Sequence, residues 1–280
     1  MAACGLKMSA NIEDKIFVVT GGAVGVGAGV VRALLAENAR HVAYLDIRER
    51  EGEALEAELA RNFGALRAKF IKCDIADEHQ LNSAFTQVID KYRRLDGVVN
   101  NAGVLNTDET LYFKKIIDIN FTATIQSSLV ALDLMRADKG GAGGTILNIS
   151  SLRALRGDSQ LPVYAATKTA VLHFSNSIGG KQYNQKTNVR VMTVCLGPTD
   201  TAILHRNSLI DDNDSAFTSN ADEIQRVESA VTGIIEVIRG GQNGTTWMVS
   251  NDNPAVDITK NVNESYEVIA KGVKDLLLRP

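Results

Sequence analysis

Short apolar runs recur along the chain, and longer amphipathic stretches separate them. The runs are continuously apolar and end in glycine or polar residues, which predicts β-strands that are buried on both faces. The predicted strands are "IFVVTGG", "HVAYLDI", "LRAKFIKCDI", "DGVVNNAG", "TILNISS", "NVRVMTVCLG" and the late strand "GTTWMVS".

The stretches between the runs are predicted to be α-helices, and one of them begins with acidic residues, as the helix dipole favours. The predicted helices are "AGVVRALLAEN", "REGEALEAELARNF", "DEHQLNSAFTQVIDKYRRL", "YFKKIIDINFTATIQSSLVALDLMRA", "PVYAATKTAVLHF" and "VESAVTGIIEVIRG". This alternation predicts a single doubly wound α/β domain with a parallel sheet and helices on both faces.

The predicted domain spans residues 13–250. Within it, residues 199–226 are polar and weakly periodic, which predicts a loop with short helices that serves as a substrate lid. Residues 251–280 form a predicted C-terminal extension that ends in a helix.

Composition narrows the class of protein. The 280 residues carry a formal net charge of -3 without a basic run, which argues against nucleic acid or a membrane surface as partner. Three cysteines and four scattered histidines predict neither a disulfide framework nor a metal site and favour a reducing, cytoplasmic location. The N-terminus lacks the pattern of a secretory signal, and the apolar stretch from residue 16 to 35 is interrupted by turn glycines and Arg32.

A glycine-rich turn, "TGGAVGVG", joins the first predicted strand to the first helix. Gly21, Gly25 and Gly27 allow a tight turn and let backbone N–H groups approach a pyrophosphate at the helix N-terminus. Glycine-rich turns are common, but this one lies within a βαβ unit, where dinucleotide binding requires it.

An acidic residue, Asp46, ends the second predicted strand about twenty residues beyond the turn. A carboxylate at this place can bind the adenosine ribose diol and repel a 2′-phosphate, which favours NAD over NADP. Arg48 supports the opposite preference because its guanidinium could pair with that phosphate. A solvated turn residue is the alternative interpretation of Asp46.

Tyr164 and Lys168 stand four residues apart and therefore share one face of a predicted helix. An isolated pair of this kind is most often a half-buried tyrosine beside a lysine that reaches solvent. The catalytic interpretation is electrostatic, since a nearby ammonium lowers the pKa of a phenol, ordinarily about 10, so that it can exchange protons near neutral pH.

Three further groups fit the catalytic interpretation. Ser151 ends the fifth predicted strand, and the carboxyl ends of strands in such sheets face the ligand crevice. A serine hydroxyl there can bind a substrate oxygen. "NNAG", at residues 100–103, ends the fourth strand at the same edge, and Asn120 lies within a helix, although asparagine is a mediocre helix former.

Taken in order, these motifs resemble the short-chain dehydrogenase/reductase family over about residues 13–250. The resemblance is carried by "TGGAVGVG", "CDI", "NNAG", Asn120, the serine of "NISS", "YAATK" and "GPTDT". It implies a Rossmann-type domain with about seven strands and a homodimer or homotetramer packed through the long helices from Tyr112 and Pro162.

The resemblance also implies roles for individual residues. Tyr164 would be the acid/base, Ser151 would orient the substrate oxygen, and Lys168 would bind the nicotinamide ribose and lower the pKa of the tyrosine. Asn120 would support a water that links the lysine to solvent. The implied NAD-binding residues are Gly21, Gly25, Val26, Gly27, Asp46, Ile47, Asp74, Ile75, Asn101, Ala102, Gly103, Tyr164, Lys168, Pro198, Thr199 and Thr201.

Within the family, the sequence is similar to NAD-dependent 15-hydroxyprostaglandin dehydrogenases and to insect alcohol dehydrogenases, which implies oxidation of a secondary alcohol. It departs from the usual pattern by the order Gly197-Pro198 and by Leu161, where the prostaglandin enzymes carry glutamine. The alternatives are an NADP-dependent carbonyl reductase, with Arg48 on the 2′-phosphate, and a non-catalytic NAD-binding scaffold.

Overall fold

A computed structural model of the protein describes residues 11–205 and 224–277, with side chains up to residue 273. Within these residues, eight strands form a single sheet in the order β3-β2-β1-β4-β5-β6-β7-β8. The strands are β1 Ile16–Thr20, β2 His41–Asp46, β3 Ala68–Lys72, β4 Gly97–Asn100, β5 Gly144–Ser151, β6 Val189–Leu196, β7 Thr246–Val249 and β8 Val256–Asp257.

Strands β1 to β7 are parallel, and β8 pairs with β7 in the antiparallel direction. The prediction of a doubly wound domain with a parallel sheet of about seven strands and helices on both faces is thus confirmed, with β8 as an addition. That strand was missed because it consists of two exposed residues without an apolar run.

The direction of winding reverses between β1 and β4. From β1 the chain proceeds to β2 and β3 on one side of the sheet, and from β4 it proceeds to β5, β6 and β7 on the other. Such a switch point opens a crevice at the carboxyl ends of the two central strands. The glycine turn that follows β1 and the "NNAG" segment that follows β4 therefore face each other.

Helices cover both faces of the sheet. They are α1 Gly25–Ala36, α2 Glu49–Phe63, α3 Glu78–Tyr92, α4 Glu109–Ile117, α5 Ala123–Met135, α6 Pro162–Ile178, α7 Lys181–Thr187, α8 Ala202–His205, α9 Val227–Gly240 and α10 Thr259–Leu277. Helices α1, α2 and α9 bury residues such as Leu34, Leu59 and Ile234 on one face. Helices α3 and α5 bury Phe85 and Leu132 on the other.

The helix predicted from residue 112 to 137 is not continuous. Helix α4 begins three residues earlier, and a π-helical turn, Asp118–Thr122, separates it from α5. A π turn is an irregularity of backbone hydrogen bonding within a helical stretch, and the order of apolar residues does not reveal it. The turn contains Asn120.

The predicted lid and domain limits are only partly covered, because residues 206–223 lie outside the described residues. Near the two limits of the predicted lid, a parallel bridge joins Thr199 and Gln225. In the described part of the C-terminal extension, β8 and α10 follow the main sheet. The limits 13–250 and 251–280 stay predictions.

Two features of the described residues bear on other classes of function. None of the helices within these ranges combines the length and the apolarity needed to cross a membrane. In the same ranges, histidine, cysteine and acidic side chains form no group of three that could hold a metal ion.

Candidate active site

A cavity lies at the carboxyl ends of β1, β4, β5 and β6, where the reversal of winding predicts it. Of the residues predicted to take part in catalysis or cofactor binding, Asn120 alone does not line it. The lining includes Gly21, Gly25, Val26, Gly27, Asp46, Ile47, Asp74, Ile75, Asn101, Ala102, Gly103, Ser151, Tyr164, Lys168, Pro198, Thr199 and Thr201. Residues that are far apart in the sequence are thus brought together.

The glycine turn is held against the segment after β4. Gly21 has φ of +64°, and a Cβ atom there would lie 2.8 Å from the Cα of Ala102. The side-chain amide of Asn101 donates hydrogen bonds of 3.1 Å to the carbonyls of Thr20 and Gly21. A Cβ at Gly27 would lie 2.0 Å from the carbonyl oxygen of Gly21, so the turn can close onto α1 only with glycine there.

Asp46 is buried at the end of β2, beside the glycine turn. One carboxylate oxygen accepts a hydrogen bond from the backbone N–H of Ala23, and the other accepts one from the N–H of Arg48, both at 3.1 Å. The guanidinium of Arg48 points to Glu51, at 3.9 Å. The carboxylate is therefore fixed at the cavity wall, whereas the arginine is only loosely held.

Tyr164 and Ser151 meet at the centre of the cavity. Burial raises the pKa of the half-buried Tyr164 phenol, and a hydrogen bond with the Ser151 hydroxyl and the positive charge of Arg153 act in the opposite direction. Burial thus has the largest effect on the pKa of the phenol. The predicted influence of Lys168 on its acidity stays a prediction. Ser150, the neighbouring serine, instead donates to the backbone carbonyl of Lys168 at 2.8 Å.

Lys168 lies one helical turn after Tyr164, with its Nζ atom 5.8 Å from the centroid of the tyrosine ring. The ammonium group donates a 3.0 Å hydrogen bond to the carbonyl of Ile149 and is almost completely buried. Burial lowers its pKa to about 8. Lys168 therefore does not reach solvent, which excludes the alternative of a lysine that merely extends past a core tyrosine.

Asn120 lies behind the cavity wall, in the π-helical turn. Its side-chain oxygen accepts a 2.7 Å hydrogen bond from the N–H of Val104, and its amide donates a 2.8 Å bond to the carbonyl of the same residue. A Cβ atom at Gly103 would lie 3.4 Å from both the Asn120 oxygen and the Lys168 Nζ atom. Asn120 thus approaches the lysine across a space that the glycine leaves open.

The reversed order Gly197-Pro198 has a packing reason. A Cβ atom at Gly197 would lie 2.2 Å from the hydroxyl oxygen of Ser250, so this loop packs against the end of β7 without room for a side chain. Gln225 holds the next residue, because its amide donates a 3.1 Å hydrogen bond to the hydroxyl of Thr199.

Several features of the cavity were not predicted from the sequence. Leu105, Leu161 and Leu204 form a small buried cluster against which Tyr164 and Ile203 pack, so the wall beside the phenol is apolar. The buried Arg153 forms an ion pair with Asp158 and lines the same cavity. Isolated leucines and an arginine in an irregular segment carry no periodic signal. Only the folded structure shows that they lie close together at the cavity.

Comparison with known proteins agrees with this geometry. A family model described as short chain dehydrogenase matches residues 15–210. Human 15-hydroxyprostaglandin dehydrogenase (NAD(+)) is 37% identical over 194 residues, which cover 69% of this chain and 71% of the human protein. Alcohol dehydrogenase 2 of Ceratitis cosyra is 29% identical over 258 residues, which cover 90% of this chain and 97% of the relative.

The fold is similar to that of a solved structure, levodione reductase. The TM-score is 0.74 at 21% sequence identity, and the match covers 85% of this chain and 96% of the other. The family model spans well over half of the chain and includes the glycine turn, the strand-end serine and the tyrosine–lysine pair. The chain belongs to the short-chain dehydrogenase family.

Proposed function

We propose that the protein is an NAD-dependent alcohol dehydrogenase that oxidises a secondary alcohol to a ketone and catalyses the reverse reduction. The observation that carries the proposal is the convergence of Ser151, Tyr164 and Lys168 on one cavity that begins at the glycine turn. Family membership and the dehydrogenase names of the relatives support the same reaction.

We infer that the cavity binds a dinucleotide along its length. Glycine at position 25 leaves open a cradle that a Cβ atom would fill, 3.3 Å from the side chain of Thr201. A pyrophosphate in this cradle would be bound by the N-terminus of α1. Asp46 would bind the adenosine ribose, and Asp74 and Ile75 would flank the adenine.

A bound nicotinamide would supply the acceptor for the hydride of the carbinol carbon. Tyr164 would accept the proton of the alcohol hydroxyl, Ser151 would hold the same oxygen by a hydrogen bond, and Lys168 would bind the nicotinamide ribose. The buried ammonium of Lys168 stabilises the phenolate that Tyr164 needs as a base. Asn120 supports the water that passes the proton from Lys168 to solvent.

The substrate is a small molecule, and we propose that it is a secondary alcohol with apolar substituents. Leu105, Ile203 and Leu204, which belong to the apolar cluster and line the cavity, would contact the groups beside the carbinol carbon. The relatives include a hydroxyprostaglandin dehydrogenase and a plain alcohol dehydrogenase, and both names agree with hydroxyl oxidation. Subunits would form a homodimer or homotetramer in the cytoplasm.

The decisive experiment is Tyr164→Phe, which removes the phenol oxygen and keeps the ring. We expect unchanged NAD affinity, by fluorescence titration, and a loss of nearly all NADH formation with a panel of secondary alcohols. Turnover within a factor of about ten of the unmodified protein, roughly 1.4 kcal/mol of barrier, would contradict the assignment. If the unmodified protein binds NAD but oxidises no alcohol in the panel, the scaffold alternative is favoured.

The second enzyme candidate is an NADP-dependent carbonyl reductase, since Arg48 is loosely held and lines the cavity near Asp46. Asp46 favours NAD, because its carboxylate repels a 2′-phosphate. Parallel titrations with NAD and NADP separate the two candidates. Tighter binding of NADP would favour the reductase.

A further inference from the structure

Two carboxylates hold the start of the helix that carries Tyr164. The Oδ1 atom of Asp158 accepts hydrogen bonds of 3.0 Å from the backbone N–H groups of Gln160 and Leu161. The two carboxylate oxygens of Glu109 accept bonds of 2.7 Å from the N–H groups of Val163 and Tyr164. Pro162, between them, has no N–H group. Every backbone donor from residue 160 to 164 therefore ends on a carboxylate.

Helix α6 depends on this external cap. The first N–H groups of a helix have no partner within it, and its own N-cap residue, Leu161, provides no side-chain hydrogen bond. Glu109 is 7% exposed, so water does not readily replace it. A buried carboxylate with two short bonds at the positive end of a helix is a strong, charge-assisted contact.

Glu109 also links two parts of the proposed active site. It is the first residue of α4, and α4 continues directly into the π-helical turn that contains Asn120. Its two bonds end on α6, one of them on Tyr164 itself. Glu109 therefore ties together the elements that carry Asn120 and Tyr164, beside the 3.4 Å hydrogen bond that the Asn120 amide donates directly to the hydroxyl of Thr167 on α6.

We propose that Glu109 is a positioning residue for Tyr164: it anchors the first turn of α6 so that the phenol stands at the correct distance from Ser151 and the substrate oxygen. This inference rests on the proposed alcohol dehydrogenase function. Glu109 acts through the backbone of Tyr164 and does not itself line the cavity, so it would touch neither substrate nor cofactor. Because proton and hydride transfer depend on the alignment of the reacting atoms, a loosened helix start lowers turnover more than binding.

The test uses Glu109→Ala and Glu109→Gln with Asp108→Asn as control. We expect Glu109→Ala to lower kcat by about 10- to 100-fold, while the dissociation constant for NAD stays within about twofold, because the glycine turn and Asp46 are distant from the change. Glu109→Gln keeps the shape but accepts one N–H group instead of two, so its kcat should be intermediate. Asp108 caps only α4, where its carboxylate accepts a hydrogen bond from the N–H of Leu111. Asparagine caps a helix equally well, so the control variant should keep its kcat.

Hydrogen exchange provides a readout that does not need catalysis. The peptide over residues 160–166 should exchange faster in Glu109→Ala than in the unmodified protein, and the control should leave it unchanged. Unchanged exchange, a kcat within twofold, or a parallel loss of kcat and NAD affinity would overturn the proposal. If the unmodified protein oxidises no alcohol, the proposed function fails, and the exchange result still decides whether Glu109 anchors α6. Glu109→Gln serves for both measurements if the alanine variant does not fold.

Discussion

At the residue scale, the proposed site contains a charged side chain, Lys168, in a buried position that disfavours charge. Lys168 is 4% exposed, and burial lowers its pKa to about 8 from an ordinary value of 10.5. Between these two pH values the unfolded chain binds more protons than the folded protein, so stability rises with pH across the window. The full destabilisation, about 3 kcal/mol, is present below pH 8.

Replacing the lysine by an apolar residue should therefore stabilise the fold. We expect Lys168→Met to raise the free energy of unfolding at pH 7 by about 2 kcal/mol, since the lost hydrogen bond to Ile149 offsets about 1 kcal/mol of the gain. The gain should shrink as the pH rises from 8 towards 10. Urea unfolding at pH 7 and near pH 10 measures both values.

The matched control is Lys260→Met, a surface lysine whose side chain is 85% exposed. It should change the stability by less than about 0.5 kcal/mol at either pH. A Lys168→Met protein that is less stable than the unmodified one at pH 7, or a gain that does not depend on pH, would show that burial of the ammonium is not the cause.

Residues that belong to short motifs could be predicted from the sequence, and residues that act through packing could not. Tyr164 and Lys168 share one helix turn, so their spacing alone places them together. Glu109 lies 55 residues from Tyr164 and reaches it only because α4 packs on α6. The effect of burial on the pKa of the Tyr164 phenol, which is the largest one, could not be predicted because burial is a tertiary property.

At the element scale, the glycine turn shows how close packing replaces side-chain contacts. A Cβ atom at Gly27 would lie 2.0 Å from the Gly21 carbonyl oxygen and 2.6 Å from the Asn101 amide nitrogen. The first of these is a backbone atom, which cannot rotate away. The turn and the first residues of α1 would have to move apart, and that is the place where the pyrophosphate is expected to bind.

Gly27→Ala should therefore weaken NAD binding by at least about tenfold and destabilise the protein by about 1–3 kcal/mol. Isothermal titration and thermal unfolding measure the two effects. The control is Gly240→Ala at the end of α9, where a Cβ atom would meet no other atom within 4 Å. If Gly27→Ala binds NAD as tightly as the control variant does, the turn is not the pyrophosphate site.

The same contrast between local and tertiary signals decides which helices and strands could be predicted from the sequence. Predicted strands with continuous apolar runs, such as "HVAYLDI", agree with the structure to within a few residues. Helix α7, "KQYNQKT", was missed because it is short and polar and has no apolar stripe. The π-helical turn was missed because its irregularity lies in backbone hydrogen bonding and not in the order of apolar residues.

At the scale of the whole molecule, the sheet order creates the site. The glycine turn, the "NNAG" segment, Ser151 and the Gly197-Pro198 loop each follow a different strand, and the reversal between β1 and β4 brings their carboxyl ends to one crevice. The sequence predicts that reversal only through the family resemblance, since alternation of strands and helices does not fix the strand order.

Helix α4 exposes several large apolar side chains, and we propose that it contributes to a contact between subunits. Leu111, Tyr112, Phe113 and Ile117 are exposed, with 77% exposure for Leu111, and Phe113 and Ile117 stand four residues apart on one face of the helix. Exposed large apolar side chains that cluster on a surface often mark a protein–protein contact. This placement agrees with the expected packing of subunits through the helices from Tyr112 and Pro162.

We therefore expect the protein to elute with two or four times the mass of one chain when light scattering is measured at micromolar concentration. Leu111→Glu combined with Phe113→Glu should shift the mass towards that of a single chain, because buried charges without partners oppose association. Leu66→Glu is the control, since Leu66 is 75% exposed and lies outside α4, on the loop between α2 and β3. A single-chain mass for the unmodified protein, or the same loss of mass in the control, would show that α4 is not the subunit contact.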